Sequence, residues 1–155
     1  MKIAIVQVRG VIGLSEKLKN TFRLLKLPKN HSCVIVDGNP SIKGMLTLLK
    51  DYITWGEVDQ ATIKLLLEKR GRLAGNKQLT EVYLKEKIKM SFDEFATAVA
   101  EGKHKVKDVP GLKPYFRLTP PKKGFERGGI KAPYSMGGAL GYRKDHINEL
   151  IRRMI

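Results

Sequence analysis

Residues 3–27 read IAIVQVRGVIGLSEKLKNTFRLLKL, and a change of rhythm within them decides the fold. Ile3 to Val8 is a β-branched run that reads as a strand, apolar at both parities, which allows cover on both faces. Arg9 to Gly13 then reads as a loop, with glycine at two places where the backbone can turn tightly. Beyond it the period switches. Leu14, Leu18, Phe22 and Leu25 recur at helical spacing as a core face, and Lys17, Asn20, Arg23 and Lys26 fall on a polar stripe. Ser15 is the expected N-cap, Glu16 suits the positive helix end, and Pro28 stops the helix.

Outward from this unit, Ser32 to Val36 reads as a second strand, ended by Asp37-Gly38-Asn39-Pro40. Ser41 is expected to cap a short helix that turns Ile42, Met45, Leu46 and Leu49 inward, and Tyr52 to Trp55 reads as a third strand. The order strand, helix, strand, helix, strand predicts an α+β fold, a ferredoxin-like split β-α-β core over residues 1–58 with helices on one face. Residues 59–155 read as a mostly helical and loop-rich C-terminal extension. Asp59, Thr80 and Asp145 are the expected caps of helices to about Gly71, to about Lys89 and at the C-terminal end, and Ser91 with Glu94 forms a capping box. Pro114 to Thr119 looks like a strand. Residues 120–142 form a long loop rich in Gly and Pro, a length expected of functional loops or of loops that order on a partner.

The chain has 155 residues, 30 Lys plus Arg against 15 Asp plus Glu, and a formal net charge of +15. Residues 101–155 carry 13 basic side chains against 5 acidic, more than half of the excess. Its apolar runs fall far short of the ~20 residues that span a bilayer. No charged-then-apolar leader is read before the first strand, and Cys33 is the single cysteine, so a cytosolic protein without an intrachain disulfide is expected. An excess of this size calls for a polyanionic partner.

Catalytic constellations are not found. His31, His104 and His146 lie far apart without a second ligand at i+3 or i+4, so no metal is expected. Cys33 reads as a small buried hydrophobe. Gly137 to Gly141 lacks both a leading strand and the Lys-Ser or Lys-Thr pair of a phosphate loop. Asp93 and Glu94 are adjacent on a helix and point apart. Binding features are plentiful. Arg9 and Gly10 follow the first strand, where a guanidinium and backbone N–H groups can both approach a phosphate. Lys17, Lys19, Asn20 and Arg23 lie on the exposed side of the first helix, and Lys43 projects near the start of the second. Arg70 and Arg72 flank Gly71. Lys122, Lys123, Arg127, Lys131 and Arg143 are interleaved with Phe125, Tyr134 and Tyr142, a mixture that suits RNA.

These stretches carry a resemblance. IVQVRGVIGLSEKLKNTFRLLKL, residues 5–27, resembles the first strand, loop and helix of the universal large-subunit ribosomal protein family numbered thirty, whose eukaryotic counterpart is large-subunit protein seven. VDGNPSIKGMLTLL, residues 36–49, is similar to the second strand and helix of that family, in the right order and spacing. PYFRLTPPKKGFERGGIKAPYSMGGALGYR, residues 114–143, resembles the extension of archaeal and eukaryotic members, and the start at the strand looks archaeal.

The resemblance implies a structural, rRNA-binding constituent of the large subunit, in the cytoplasmic ribosome, close to 5S rRNA and beside other large-subunit proteins. No catalysis, cofactor, membrane or small-molecule substrate is implied. By position Arg9, Gly10, Lys17, Lys19, Asn20 and Lys43 match the RNA-facing loop and helix starts, and Arg127, Lys131 and Arg143 match the extension loop. One rival remains at this point: Arg9 after the first strand also resembles the phosphate-holding arginine of small ferredoxin-like enzymes of the acylphosphatase type.

Overall fold

The strand that is apolar on both sides lies in the middle of a sheet. The computed structural model describes residues 2–155. Strand β1 (Lys2–Gln7) pairs antiparallel with β2 (Ser32–Asp37) on one side and β3 (Ile53–Glu57) on the other, so that Ile5 faces Val34 and Trp55 while Ala4 faces Ile35 and Gly56. Helix α1 (Glu16–Leu24) joins β1 to β2, and α2 (Pro40–Leu48) joins β2 to β3 across the inserted β1. This is the split β-α-β arrangement of an α+β, ferredoxin-like fold. Two short strands complete the sheet, β4 (Phe116–Arg117) antiparallel to β2 and β5 (Gly141–Tyr142) parallel to β3, in the order β4-β2-β1-β3-β5.

Side-chain alternation along β1 divides the core in two. Ile3 and Ile5 meet Phe22, Leu25 and Leu27 at α1 and its end, and Leu46 and Leu49 at α2. Ala4 and Val6, with Cys33, face α3 (Gln60–Arg70), α5 (Phe92–Glu101) and α6 (His146–Met154) through Ile63, Leu66, Phe95, Val99, Ile147 and Leu150. The second face is therefore covered by residues after 58. α4 (Glu81–Ile88) adds Leu84 to the same cluster. Burial pushes the Cys33 thiol up to about 12, which makes it an inert core side chain.

Helix ends separate the two halves of the chain. Asp59, Thr80 and Ser91 accept bonds from Thr62, Tyr83 and Glu94 N–H, and Glu94 closes the capping box on Ser91 N–H. Ser15 occupies the N-cap position of α1, but its hydroxyl makes no capping bond. For α2 the cap position belongs to Asn39 and not to Ser41, because Pro40 takes the first helical position, where a missing N–H is harmless. Asp145 does not cap α6 either: its backbone is already helical, whereas a capping side chain reaches back from an extended one.

The C-terminal end of α1 is closed by the backbone. Leu27 N–H bonds to Phe22 C=O and Lys26 N–H to Arg23 C=O, a Schellman arrangement that puts Lys26 in the left-handed region at φ 59°.

Two sequence expectations are revised. The strand expected over Pro114 to Thr119 shortens to two residues because Thr119 turns its N–H and hydroxyl to Met154 C=O at the end of α6. Within the long loop, Gly141–Tyr142 forms β5, too short to show any periodicity. The loop also folds on itself. Gly128 N–H bonds to Gly137 C=O, Ala139 N–H to Gly129 C=O and Tyr134 N–H to Leu140 C=O, while Phe125 packs on Val8, Ala139 and Leu140. Gly138 permits this closure, since a Cβ there would lie 2.0 Å from Ala132 C=O.

Candidate nucleic-acid interface

Arg9 is held at the end of β1 by its neighbours. Val8 and Arg9 N–H both bond to Tyr52 C=O, and the fully buried Gln7 amide donates to Arg9 C=O at 2.9 Å. Arg9 N–H is thus used internally and does not face a ligand, contrary to the expectation from sequence. The guanidinium lies 5.1 Å over the Tyr52 ring and donates to Asp51 C=O at 3.2 Å. That posture leaves donors over and keeps the planar cation at the surface. Gly10 beside it is exposed, with Asn30 as its nearest side chain.

On α1 the polar stripe is exposed as its spacing predicts. Lys17 has no carboxylate partner among the described residues, while Lys19 and Arg23 share Glu16 at 3.5 and 3.6 Å, and Asn20 accepts from Arg23 at 3.0 Å. These pairs are solvent-exposed and weak. Lys43 stands exposed in the first turns of α2. Since neither Ser15 nor Asn39 bonds the first N–H groups of its helix, both helix starts keep free donors beside a lysine, the arrangement that favours an anion.

The extension residues divide. Lys122, Lys123, Arg127 and Lys131 are exposed around the folded loop, with no carboxylate within 4.0 Å among the described residues. Arg72 is half-buried beside the Arg72–Gln78 bridge, and Arg70 donates to Ile155 C=O at 2.6 Å. Arg143 is set apart from all of them. Its side chain is 1% exposed, and its guanidinium donates to Thr54 Oγ1, to both oxygens of Glu126 and to Ala139 C=O, at 2.8 to 3.3 Å, while lying 4.7 Å from the Tyr134 ring centroid. Every face of it is occupied by protein. Arg143 and the half-buried Tyr134 therefore pin the loop to β3 and are not displayed to a ligand.

Burial alone would raise the Glu126 pKa. Hydrogen bonds from Arg143 and the charges of Arg143 and Arg153 outweigh that and hold its carboxyl below its ordinary value. The sequence carries one signal for this lock: Glu126 is the sole carboxylate between residues 120 and 142.

The histidines do not converge. His31 stacks on Phe125, His104 lies 3.3 Å from Asp108, and His146 meets Tyr134. What sequence reasoning missed is a groove of about 360 Å³ beside α1, where Phe22, Arg23, Lys26 and Leu27 face Pro114 and Tyr115. Tyr115 belonged to an expected strand, and Lys26 was read only as one member of a polar stripe.

The sequence that builds this sheet and its helix starts is similar to known proteins. The family model described as ribosomal protein L30p/L7e matches residues 3–53, from β1 to the start of β3. The large ribosomal subunit protein uL30 of Methanopyrus kandleri is 49% identical over 149 residues, covering 96% of this chain and 100% of that one. The chain belongs to the uL30 family. Its likeness to uL30 of Methanococcus vannielii, 46% over 155 residues and the full length of both, takes in the extension as well as the core. That of Archaeoglobus fulgidus is 46% identical over 152 residues, 97% of this chain and 98% of the relative.

Proposed function

We propose that this chain is a structural constituent of the large ribosomal subunit in the cytoplasm and binds rRNA there without catalysing a reaction. The observation that carries the reading is full-length identity of 46–49% to proteins named large ribosomal subunit protein uL30. The physical features agree with it. Arg9 and Gly10 at the end of β1, Lys17, Lys19, Asn20 and Arg23 along α1, and Lys43 at the start of α2 present donors to phosphate. Lys122, Lys123, Arg127 and Lys131 add a second cationic surface on the extension, and Arg72 a third point. Arg70, Tyr134 and Arg143 act by holding the extension in shape. Residues 1–58 form the rRNA-binding core and residues 59–155 the extension that covers its second face. The long loop at 120–142 faces RNA.

The enzymatic alternative loses its support. Family membership makes the chain a non-enzymatic structural protein.

Resemblance to the family also supports a position close to 5S rRNA and beside other large-subunit proteins, which cross-linking of assembled subunits tests. The direct experiment is incorporation of tagged chain into large subunits. Arg9→Ala with Lys43→Ala lowers incorporation, and binding to purified large-subunit rRNA falls by about 0.9 log unit per tenfold salt for each phosphate neutralised. Undiminished incorporation of the double variant refutes the role given to the core surface.

A further inference from the structure

The groove beside α1 combines three things. Its floor is aromatic and aliphatic, from Phe22, Leu27, Pro114 and Tyr115. Its rim is cationic, from Lys19, Arg23 and Lys26, and no carboxylate lines it. Its volume of about 360 Å³ falls in the roughly 300–1,000 Å³ range of clefts that enclose small organic groups. Glu16 offsets one charge of the Lys19–Arg23 pair from outside the groove, so the rim stays positive.

Lys26 adds an independent observation. It sits at φ 59° in the position after a helix C-terminus where glycine is free of strain and a lysine is not. The Schellman bonds and the burial of Leu27 fix the backbone from which the Lys26 side chain reaches the rim. Lys26 and Pro114 also line a second cleft of about 200 Å³ with Lys105 and Lys107, in which Asp37 pairs with Lys2 and Lys105.

We propose that this groove takes one unstacked nucleotide of an RNA, its base against Tyr115 and its phosphate at Lys26. The inference rests on the rRNA-binding reading and deepens it. A splayed base gains a stacking partner at an aromatic side chain and the adjoining phosphate gains a counter-charge, the pairing by which single-stranded RNA is held. One wall comes from the residues matched by the family model and the other from outside them, so core and extension build the site together.

The test titrates the full chain with a fluorescent single-stranded RNA decamer and with a fully paired RNA duplex. Lys26→Gly and Lys89→Gly relieve the same left-handed strain, and neither lowers the melting temperature. Only Lys26→Gly weakens the single strand, about four-fold at 0.15 M salt, and reduces the salt slope by about 0.7. Tyr115→Ala weakens it at least about five-fold without changing the slope.

A decamer carrying 5-iodouridine cross-links to Tyr115, a readout that does not depend on any variant folding. Cross-links confined to other aromatics, or equal losses on the duplex, overturn the groove while leaving RNA binding intact. Failure of the chain to bind any RNA overturns both readings. Capture of an oligoglutamate peptide with the same Lys26 and Tyr115 dependence, in place of the decamer, overturns the nucleotide in favour of an acidic protein segment.

Discussion

Replacing Arg143 by alanine removes a guanidinium that binds four acceptor atoms on three residues, one on β3 and two in the long loop. Thr54 on β3 loses the donor at 2.8 Å but keeps its own bond to Gly141 C=O. Ala139 C=O loses the donor at 2.8 Å inside the loop. Glu126 loses both of its shortest contacts and is left, 22% exposed, with Arg153 at 3.5 Å. Breaking a buried pair by removing one partner costs about 3–5 kcal/mol, because the other charge stays desolvated. Arg153 softens that loss, so about 3 kcal/mol is expected for Arg143→Ala. In a chain of this size each kcal/mol moves the melting temperature by about 2–4 °C, giving a fall of roughly 6–12 °C.

Urea unfolding followed by circular dichroism measures the loss at unchanged slope. Arg127→Ala, an exposed cation of the same loop, serves as reference and stays within about 0.5 kcal/mol of the parent. Arg143→Met with Glu126→Leu recovers most of the loss, since an apolar pair of similar volume replaces a buried ion pair at little cost. An Arg143→Ala protein as stable as Arg127→Ala refutes the lock and returns Arg143 to the surface.

The acid limb of stability follows from the same lock. Glu126 and Asp37 both have folded pKa values below their ordinary 4.5 and 3.8, Asp37 through its hydrogen bond from Lys2. The unfolded chain therefore takes up these protons first. The stabilisation is complete above about pH 4.5 and is lost as pH falls through the lower folded values, which melting temperatures between pH 6 and 3 record. Glu126→Gln flattens that limb, and an unchanged slope counts against the pairing. Gly56→Ala tests the docking of α6: a Cβ at this position would lie 2.0 Å from Lys144 C=O and 3.0 Å from Ile147 Cγ2. Overpacking there costs at least about 3 kcal/mol, and a variant within 1 kcal/mol of the parent refutes the close approach.

The three core strands and the faces of α1 and α2 were legible because periodicity and turn residues are local properties. Ile3 to Val8 even announced its two-sided burial by being apolar at both parities. Capping was legible only where the backbone is extended before the helix, as at Asp59, Thr80 and Ser91. It failed at Ser41 because Pro40 moved the helix start upstream. β5 was invisible since two residues carry no period, and its pairing with β3 spans 87 positions from Thr54 to Gly141. Arg143 misled for a related reason. A cation among glycines and aromatics looks the same in sequence whether RNA or a buried glutamate neutralises it. The groove at Tyr115 was illegible because its walls come from α1 and from a segment some ninety positions later, and only the packed fold brings them together.

The sheet's divided cover has a consequence for how the chain is made. β1, β2 and β3 are complete once residue 57 has been synthesised, and α1 and α2 can already bury Ile3, Ile5 and Val34. Ala4, Val6 and Cys33 must wait for Ile63, Phe95 and finally Ile147 and Leu150. At about 5–20 residues per second, that second face stays bare for roughly 5–20 s of elongation. During this interval the nascent sheet is greasy on one side and cationic at its helix starts, and the Cys33 thiol, inert in the finished protein, is open to alkylation. The rate at which ribosome-bound chains of increasing length lose that reactivity would time the closing of the molecule, with α6 as its last piece.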